Sequence, residues 1–275
     1  MQYGFVLPHG DAADAAELAA EAEAAGWDGF FVWEPVWGVD AWVSLTAAAM
    51  RTSRIRLGTM LSPLSRMRPW KFASETATLD RLSGGRVIVS VGLGAIDTGF
   101  AEFGEETDRR TRAELLDEGL EIVEGLWHGQ PFNFAGKHYT VRETAFAVPP
   151  PPVQQPRIPI WVVGAWPWPT SMRRALRYDG IIPTAVVEGG SGRPSSVEEV
   201  REIAAHVRAE RDDGPYEIIV EGVTPGGDAE AAASIVRRWA DAGATWWLEA
   251  MWAVPQSAGS VETLRARLRA GPPRV

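Results

Sequence analysis

Residues 54–94 read RIRLGTMLSPLSRMRPWKFASETATLDRLSGGRVIVSVGLG and hold one complete strand, helix, strand unit. The runs at about 55–61 and 86–92 are rich in branched aliphatic residues, and the segment at about 69–83 carries apolar side chains at helical spacing with Pro69 in its first turn. Moving outward, the same alternation continues in both directions. Strands are expected at about 3–7, 29–33, 158–163, 180–184, 216–222 and 244–250. Helical segments are expected at roughly 11–25, 40–51, 108–127, 169–178, 195–213, 228–241 and 259–269, most of them opened by Asp, Ser, Thr or Pro. Eight βα units in one chain predict an α/β fold of the (β/α)8 TIM barrel type. The stretch 128–157 breaks the rhythm with HGQPFNFAGKHYTV and the proline-rich VPPPPVQQPRIP. It reads as an excursion between strands 4 and 5, a hairpin followed by an extended strap, because the alternation resumes at once with IPIWVVG. Residues 1–275 are therefore expected to form one domain.

Composition narrows the function classes. With 45% hydrophobic residues among 275, the chain can fill a sizeable core. The net charge of −9 and the absence of a basic run argue against nucleic acid as a partner. No cysteine is present, which excludes disulfides and thiolate metal sites. The N-terminus MQYGFVLPHG has no leader pattern and no run of apolar residues is long enough to span a bilayer, so a cytoplasmic protein with no membrane partner is expected.

In such a barrel the chemistry sits on the loops that follow the strands. Those positions include His9, Trp33 to Trp37, Thr59 to Ser65, GLGA at 92–95, GAWPWPTS at 164–171, Thr184 to Gly190, Glu221 and Glu249 to Trp252. Tryptophan and glycine recur there, whereas histidine, lysine and paired carboxylates are scarce. This inventory suits a flat aromatic cofactor better than hydrolysis. Trp33, Trp37, Trp42, Trp166, Trp168 and Trp252 all fall near the expected rim and suggest an apolar, water-poor pocket. Gly92 and Gly94 either let the chain turn tightly or permit close backbone approach to a ring. Thr170 and Ser171 open a helix, where they serve either as ordinary caps or as a phosphate site. No spacing of His9, His128, His138 and His206 makes a metal site, and none is expected.

Four stretches carry a family resemblance: the opening quotation, FGEETDRRTRAELLDEGLEIVEGLWHGQPFNFAGKHYTV, PPPVQQPRIPIWVVG and the terminal RLRAGPP. Together they resemble the luciferase-like monooxygenase superfamily of flavin- and deazaflavin-dependent TIM-barrel oxidoreductases, over essentially the whole chain. The resemblance implies a reduced cofactor, coenzyme F420 or alternatively FMN, and a small organic substrate that receives hydride or oxygen. ATLDRLSGGR and ELLDEGLEIVEGLW resemble most the branch that uses F420. The cofactor would meet Trp33, Met60, Leu61, Gly92, Gly94, Gly164 and Ala165, with its phosphate on Thr170 and Ser171. The family also implies a non-proline cis peptide at Met60-Leu61, and a homodimer is among the assemblies it leaves open.

Two departures bear on catalysis. Many relatives follow the acid at the end of strand 2 with a histidine, and this chain has Glu34 followed by Pro35, which cannot carry a proton. Sugar-phosphate dehydrogenases of the F420 branch often place an acid after Gly-x-Gly, and this chain has Ala95. Glu34 is then the candidate catalytic acid, or else a structural carboxylate, and His9 could substitute for the missing histidine. An FMN-dependent monooxygenase and a non-catalytic flavin-binding protein are the alternative readings. A TIM-barrel hydrolase or lyase is disfavoured because the only lysines, Lys71 and Lys137, lie away from the strand ends.

Overall fold

The computed structural model describes residues 1–186, 192–211, 214–257 and 259–275. Eight parallel strands form the barrel: β1 (Gln2–Leu7), β2 (Gly29–Val32), β3 (Arg56–Thr59), β4 (Val87–Val91), β5 (Ile160–Trp166), β6 (Gly180–Val186), β7 (Glu217–Gly222) and β8 (Trp246–Ala250). Each pairs with the next, and β8 pairs with β1 from Trp246 against Gln2 to Ala250 against Val6. The short register of Glu217 against Gly180 and Ile218 against Ile181 joins β6 to β7 and closes the ring. A closed ring leaves no unpaired barrel edge.

The helices are α1 (Ala12–Ala25), α2 (Ala41–Ala49), α3 (Pro69–Ser83), α4 (Arg109–His128), α5 (Pro169–Leu176), α6 (Val197–Glu210), α7 (Ala229–Ala242) and α8 (Ser260–Arg269). Side-chain oxygens cap five of them, from Asp11, Asp40, Asp108, Ser196 and Asp228. None is long and apolar enough to cross a membrane among the described residues.

Alternate residues of each strand face the helices or the barrel axis. The N-terminal half of the interior is filled by aromatics: Phe31 stacks on Trp161 at 5.5 Å between centroids, and Trp246 meets Trp161 edge-on at 5.1 Å. Room for these rings comes from glycines on the same and neighbouring strands. A Cβ at Gly58 would lie 2.5 Å from the Ile88 carbonyl oxygen, and one at Gly29 would lie 2.7 Å from the Phe31 ring. The barrel floor is therefore solid, and open space remains only towards the C-terminal ends of the strands.

The sequence motifs of the opening stretch have structural employment. Asp80 in LDRLSGGR is fully buried and accepts hydrogen bonds from the Val153 and Gln154 backbone N–H groups at 2.8 and 3.1 Å and from Gln154 Nε2 at 2.7 Å. It thereby ties the proline-rich strap to α3. Gly84, at φ 69°, ends α3 in the left-handed conformation, and Arg86 then donates to the carbonyls of Ala49, Thr52, Ile55 and Ser83. Between β4 and β5 an antiparallel pair, Phe134–Ala135 with Thr140–Val141, is held to α4 by Glu118, which accepts from the N–H groups of Lys137, His138 and Tyr139.

Candidate active site

The C-terminal face opens into a cavity of about 1400 Å³. That is large against the roughly 300–1,000 Å³ common for ligand sites, and a cofactor together with a substrate fits such a space. Of the residues expected at the site, His9, Trp33, Glu34, Met60, Leu61, Gly94, Ala165, Thr170 and Ser171 line it. Gly92 and Gly164 do not. Val163 and Ala165 face the cavity, so the intervening Gly164 points outward, where a Cβ would meet Ile181 at 2.3 Å. Gly92 packs its backbone against Val163 and Leu61, which is close approach within the protein.

The rim tryptophans divide in the same way. Trp33, Trp37, Trp168 and Trp252 line the cavity. Trp42 is instead buried against Phe72 on the helical side, and Trp166 gives its indole N–H to Glu202 and lies against the ring of His206. Glu249 also faces outward, fully buried, where it receives Thr224, Trp247 and Arg267. Of the expected rim segment Thr184 to Gly190, residues 187–190 lie outside the described residues.

Glu34 leaves β2 and projects beneath the loop that follows β3. Its Oε1 lies 3.5 Å from Arg66 Nη2, and Oε2 is buried without a hydrogen-bond partner. Burial pushes this carboxyl up to about 7, against the opposing pull of the Arg66 guanidinium, and Asp40 and Glu75 push in the same direction as burial. His9 Nε2 is likewise buried and unpaired among the described residues. Met60-Leu61 is a cis peptide, as the family resemblance implies, and both residues form the wall beside Glu34.

The opposite wall is cationic. α5 begins at Pro169 with Trp168 at its N-cap, and Trp168 has no oxygen with which to cap. Thr170 and Ser171 therefore lie within the first turn and are not caps. Pro169 carries no N–H, and among the described residues the N–H groups of Thr170 and Ser171 have no protein acceptor. The Ser171 hydroxyl accepts from the Ala165 N–H at 2.9 Å, which fixes its oxygen beside the cavity and leaves its own proton to donate. Three arginines join this end. Arg174 is buried and paired with Asp117, Nη2 to Oδ2 at 2.8 Å. Arg112 donates to the carbonyls of Leu93 and Gly94 at 2.9 and 3.2 Å and so holds the Gly-x-Gly loop. Arg109 stacks its guanidinium 4.0 Å from the Trp168 ring centroid, and burial together with the charge of Arg174 lowers its pKa. Guanidinium groups in mutual repulsion beside uncapped helix N–H groups make a place where an anion is stabilised. The sequence of α5 offers both Arg173 and Arg174 as added charge, and of the two Arg174 lines the cavity; Arg66, Arg109 and Arg112 reach the site from loops and helix turns that no local motif marks.

Among the described residues no group of three His, Asp or Glu could hold a metal ion.

The model of the family described as luciferase-like monooxygenase matches residues 2–271. An uncharacterized protein of Mycobacterium tuberculosis is 32% identical over 84% of this chain and 76% of its own length. The F420-dependent glucose-6-phosphate dehydrogenase of Amycolatopsis mediterranei is 29% identical over 72% of this chain and 66% of that protein. A further M. tuberculosis protein, named as a candidate coenzyme F420-dependent oxidoreductase, is 38% identical over 45% of this chain, which spans only 35% of it. Among solved structures, an F420-dependent secondary alcohol dehydrogenase in complex with an F420–acetone adduct superposes with a TM-score of 0.75 at 19% identity, covering 98% of each chain. The oxygenating component of the Pseudomonas putida 3,6-diketocamphane monooxygenase, in complex with FMN, superposes at 0.66 with 19% identity, over 86% of this chain and 71% of that one. At such identities the structural likeness speaks for the fold.

Proposed function

The chain belongs to the luciferase-like monooxygenase family, and on that premise we propose that it is an oxidoreductase that binds reduced coenzyme F420 and serves the transfer of hydride to a small organic substrate. The observation that carries this reading is the uncapped first turn of α5 facing a cavity of about 1400 Å³, with Thr170, Ser171 and a cationic wall on one side and the apolar Met60 and Leu61 on the other. A flat ring with a phosphate-bearing chain has this division of chemistry. When bound, such a cofactor supplies the hydride.

The chain's own residues do the rest. The α5 N–H groups and the two hydroxyls hold the phosphate, and Arg109 and Arg174 extend the positive potential towards further anionic groups. F420 carries carboxylates beyond its phosphate and FMN does not, which favours the deazaflavin. Met60, Leu61 and Ala165 exclude water from the ring, and Trp33, Trp168 and Trp252 offer aromatic faces at the mouth. Glu34, with Pro35 where relatives carry histidine, holds a proton near neutral pH beside this wall, and His9 has a free nitrogen to accept or donate one.

FMN is the second reading, favoured by Ala95 at the position where sugar-phosphate dehydrogenases of the F420 branch often have an acid. Titration of the protein with F420 and with FMN, each oxidised and reduced, decides between them. Tight binding of FMN with no binding of F420 would overturn the deazaflavin, and binding of neither would overturn the cofactor reading itself.

A further inference from the structure

A further carboxylic acid lines the cavity, two strands round the barrel from β5. Glu221 is the penultimate residue of β7, and the parallel register pairs it with the inward-facing Leu248. It therefore points along the barrel interior, one layer above Ile219, which packs on the aromatic floor. Extending the β6–β7 register by four residues sets it beside Thr184, another cavity residue. Its single hydrogen bond is to the indole of Trp252, Nε1 to Oε2 at 3.0 Å. Oε1 has no protein hydrogen-bond partner among the described residues.

An indole N–H can only donate, so Oε2 must act as an acceptor in either protonation state. A neutral carboxyl accepts best through its carbonyl oxygen, so with Oε2 taking the indole N–H the favoured seat of the proton is Oε1, the oxygen that Trp252 does not hold. Burial pushes Glu221 above the ordinary carboxylate range, the indole N–H pulling the other way, and among the described residues no cation offsets the burial. In this it differs from Glu34, whose charged form is supported by Arg66. A neutral carboxyl whose free oxygen faces the cavity is a donor to a neutral acceptor.

Resting on the oxidoreductase reading above, we propose that Glu221, oriented by Trp252, donates its Oε1 proton to the carbonyl oxygen of a neutral, uncharged carbonyl substrate. When the hydride of the reduced cofactor forms the new C–H bond, the carbonyl π pair moves to oxygen and that oxygen takes the Glu221 proton. The products are an alcohol, a carboxylate and a cofactor oxidised by two electrons, and the carboxyl regains a proton from water at the mouth. The substrate class this selects is an uncharged ketone, aldehyde or enone, and not a phosphorylated sugar.

The Trp252 indole 1H–15N resonance of the cofactor-free protein, identified by its loss in Trp252→Phe, reads the protonation of Glu221 directly. The other ionisable groups that share the cavity are His9, Asp11, Glu34, Asp108, Arg109, Arg110, Arg112, Arg174 and Arg193, and a Glu221→Gln sample separates their influence from that of Glu221. The expected result is a titration with its midpoint above the ordinary carboxylate range that disappears in Glu221→Gln. A midpoint within that range, or one unchanged by Glu221→Gln, would overturn the proposal without touching cofactor binding. With reduced cofactor and cyclohex-2-enone or cyclohexanone as probe, Glu221→Gln keeps a donor N–H but cannot release its proton, so kcat is expected to fall at least about a hundredfold with KM changed less than about threefold. Unaltered kcat would equally sink it. Failure of the wild-type protein to bind F420 and FMN would instead strike the function reading and leave the titration result standing.

Discussion

Arg66 supports Glu34 from one side only: its Nη2 stands 3.5 Å from Oε1 and also donates to the carbonyl of Pro35, while Oε2 is buried with no partner. The position at which relatives carry a histidine thus offers its backbone oxygen in place of a ring nitrogen. That oxygen anchors the arginine which keeps the neighbouring acid from being wholly neutral. The acid is held between two states near neutral pH, and the fold bears the energetic consequence.

That consequence can be read as a pH dependence of stability. Glu34 has an ordinary value of 4.5 and a folded value of about 7, so between these the folded chain keeps a proton that the unfolded chain has lost. Stability from this group therefore falls as pH rises from about 4.5 to 7, and the loss is complete above 7, amounting to about 3 kcal/mol. Glu34→Gln removes the titration. Urea unfolding across pH 5 to 8 is expected to show the variant gaining on the wild type as pH rises; parallel curves would mean that Glu34 is not held near neutrality.

The phosphate assignment makes a ligand-specific prediction. Replacing Thr170 and Ser171 together by Ala is expected to weaken binding of FMN or F420 by roughly 1–3 kcal/mol while affecting riboflavin, or the riboflavin-level deazaflavin, far less. Calorimetric titration measures both. Equal losses for the phosphorylated and unphosphorylated ligands would show that the residues matter to α5 and its contact with Ala165 rather than to an anion.

Asp80 yields a prediction about architecture. Its buried carboxylate is where the Val153 and Gln154 N–H groups end. Asp80→Ala takes the acceptor away from these part-buried donors and from the Gln154 side chain, and a loss of about 3 kcal/mol in unfolding free energy is expected. Proteolysis should then cut first within the strap at 144–157. Cleavage elsewhere first, with the strap intact, would show that Asp80 does not anchor it.

The parts of the fold that were legible are those set by period and punctuation. The eight strand-helix repeats follow from local hydrophobic spacing, and each observed barrel strand overlaps its expected position. What escaped depends on phase and on distance. The resemblance places Gly164 at the cofactor, yet the two-residue alternation of β5 puts it on the face away from the cavity, and sequence alone does not say which phase faces the axis. Thr170 and Ser171 could be read as caps until the structure showed the N-cap to be Trp168. Arg66 lies 32 residues from Glu34 in sequence, and only the folding of the loop after β3 brings them together. Glu221 was visible at a strand end, but its orientation came from Trp252, 31 residues away, on the loop that leaves the neighbouring strand.

The aromatic floor beneath the cavity can be tested through Gly58. The rings of Phe31, Trp161 and Trp246 occupy the space that side chains from neighbouring strands would otherwise take, and Gly58 on β3 is one of the positions that yields it. A methyl group there would lie 2.5 Å from the Ile88 carbonyl oxygen and 3.0 Å from the Phe31 ring. The first of these contacts is with backbone in a paired strand, so it cannot be relieved by a rotamer change. Overpacking of this kind costs about 1–3 kcal/mol, and Gly58→Ala is expected to lower unfolding free energy by that amount. Gly84→Ala serves as the comparison, because a methyl group at Gly84 meets nothing within 4 Å and its cost comes only from the φ of 69°. If Phe31 is displaced upward by the new methyl, cofactor affinity falls along with stability in Gly58→Ala and stays unchanged in Gly84→Ala. A Gly58→Ala protein as stable as the wild type would mean that the barrel floor is looser than its contacts indicate.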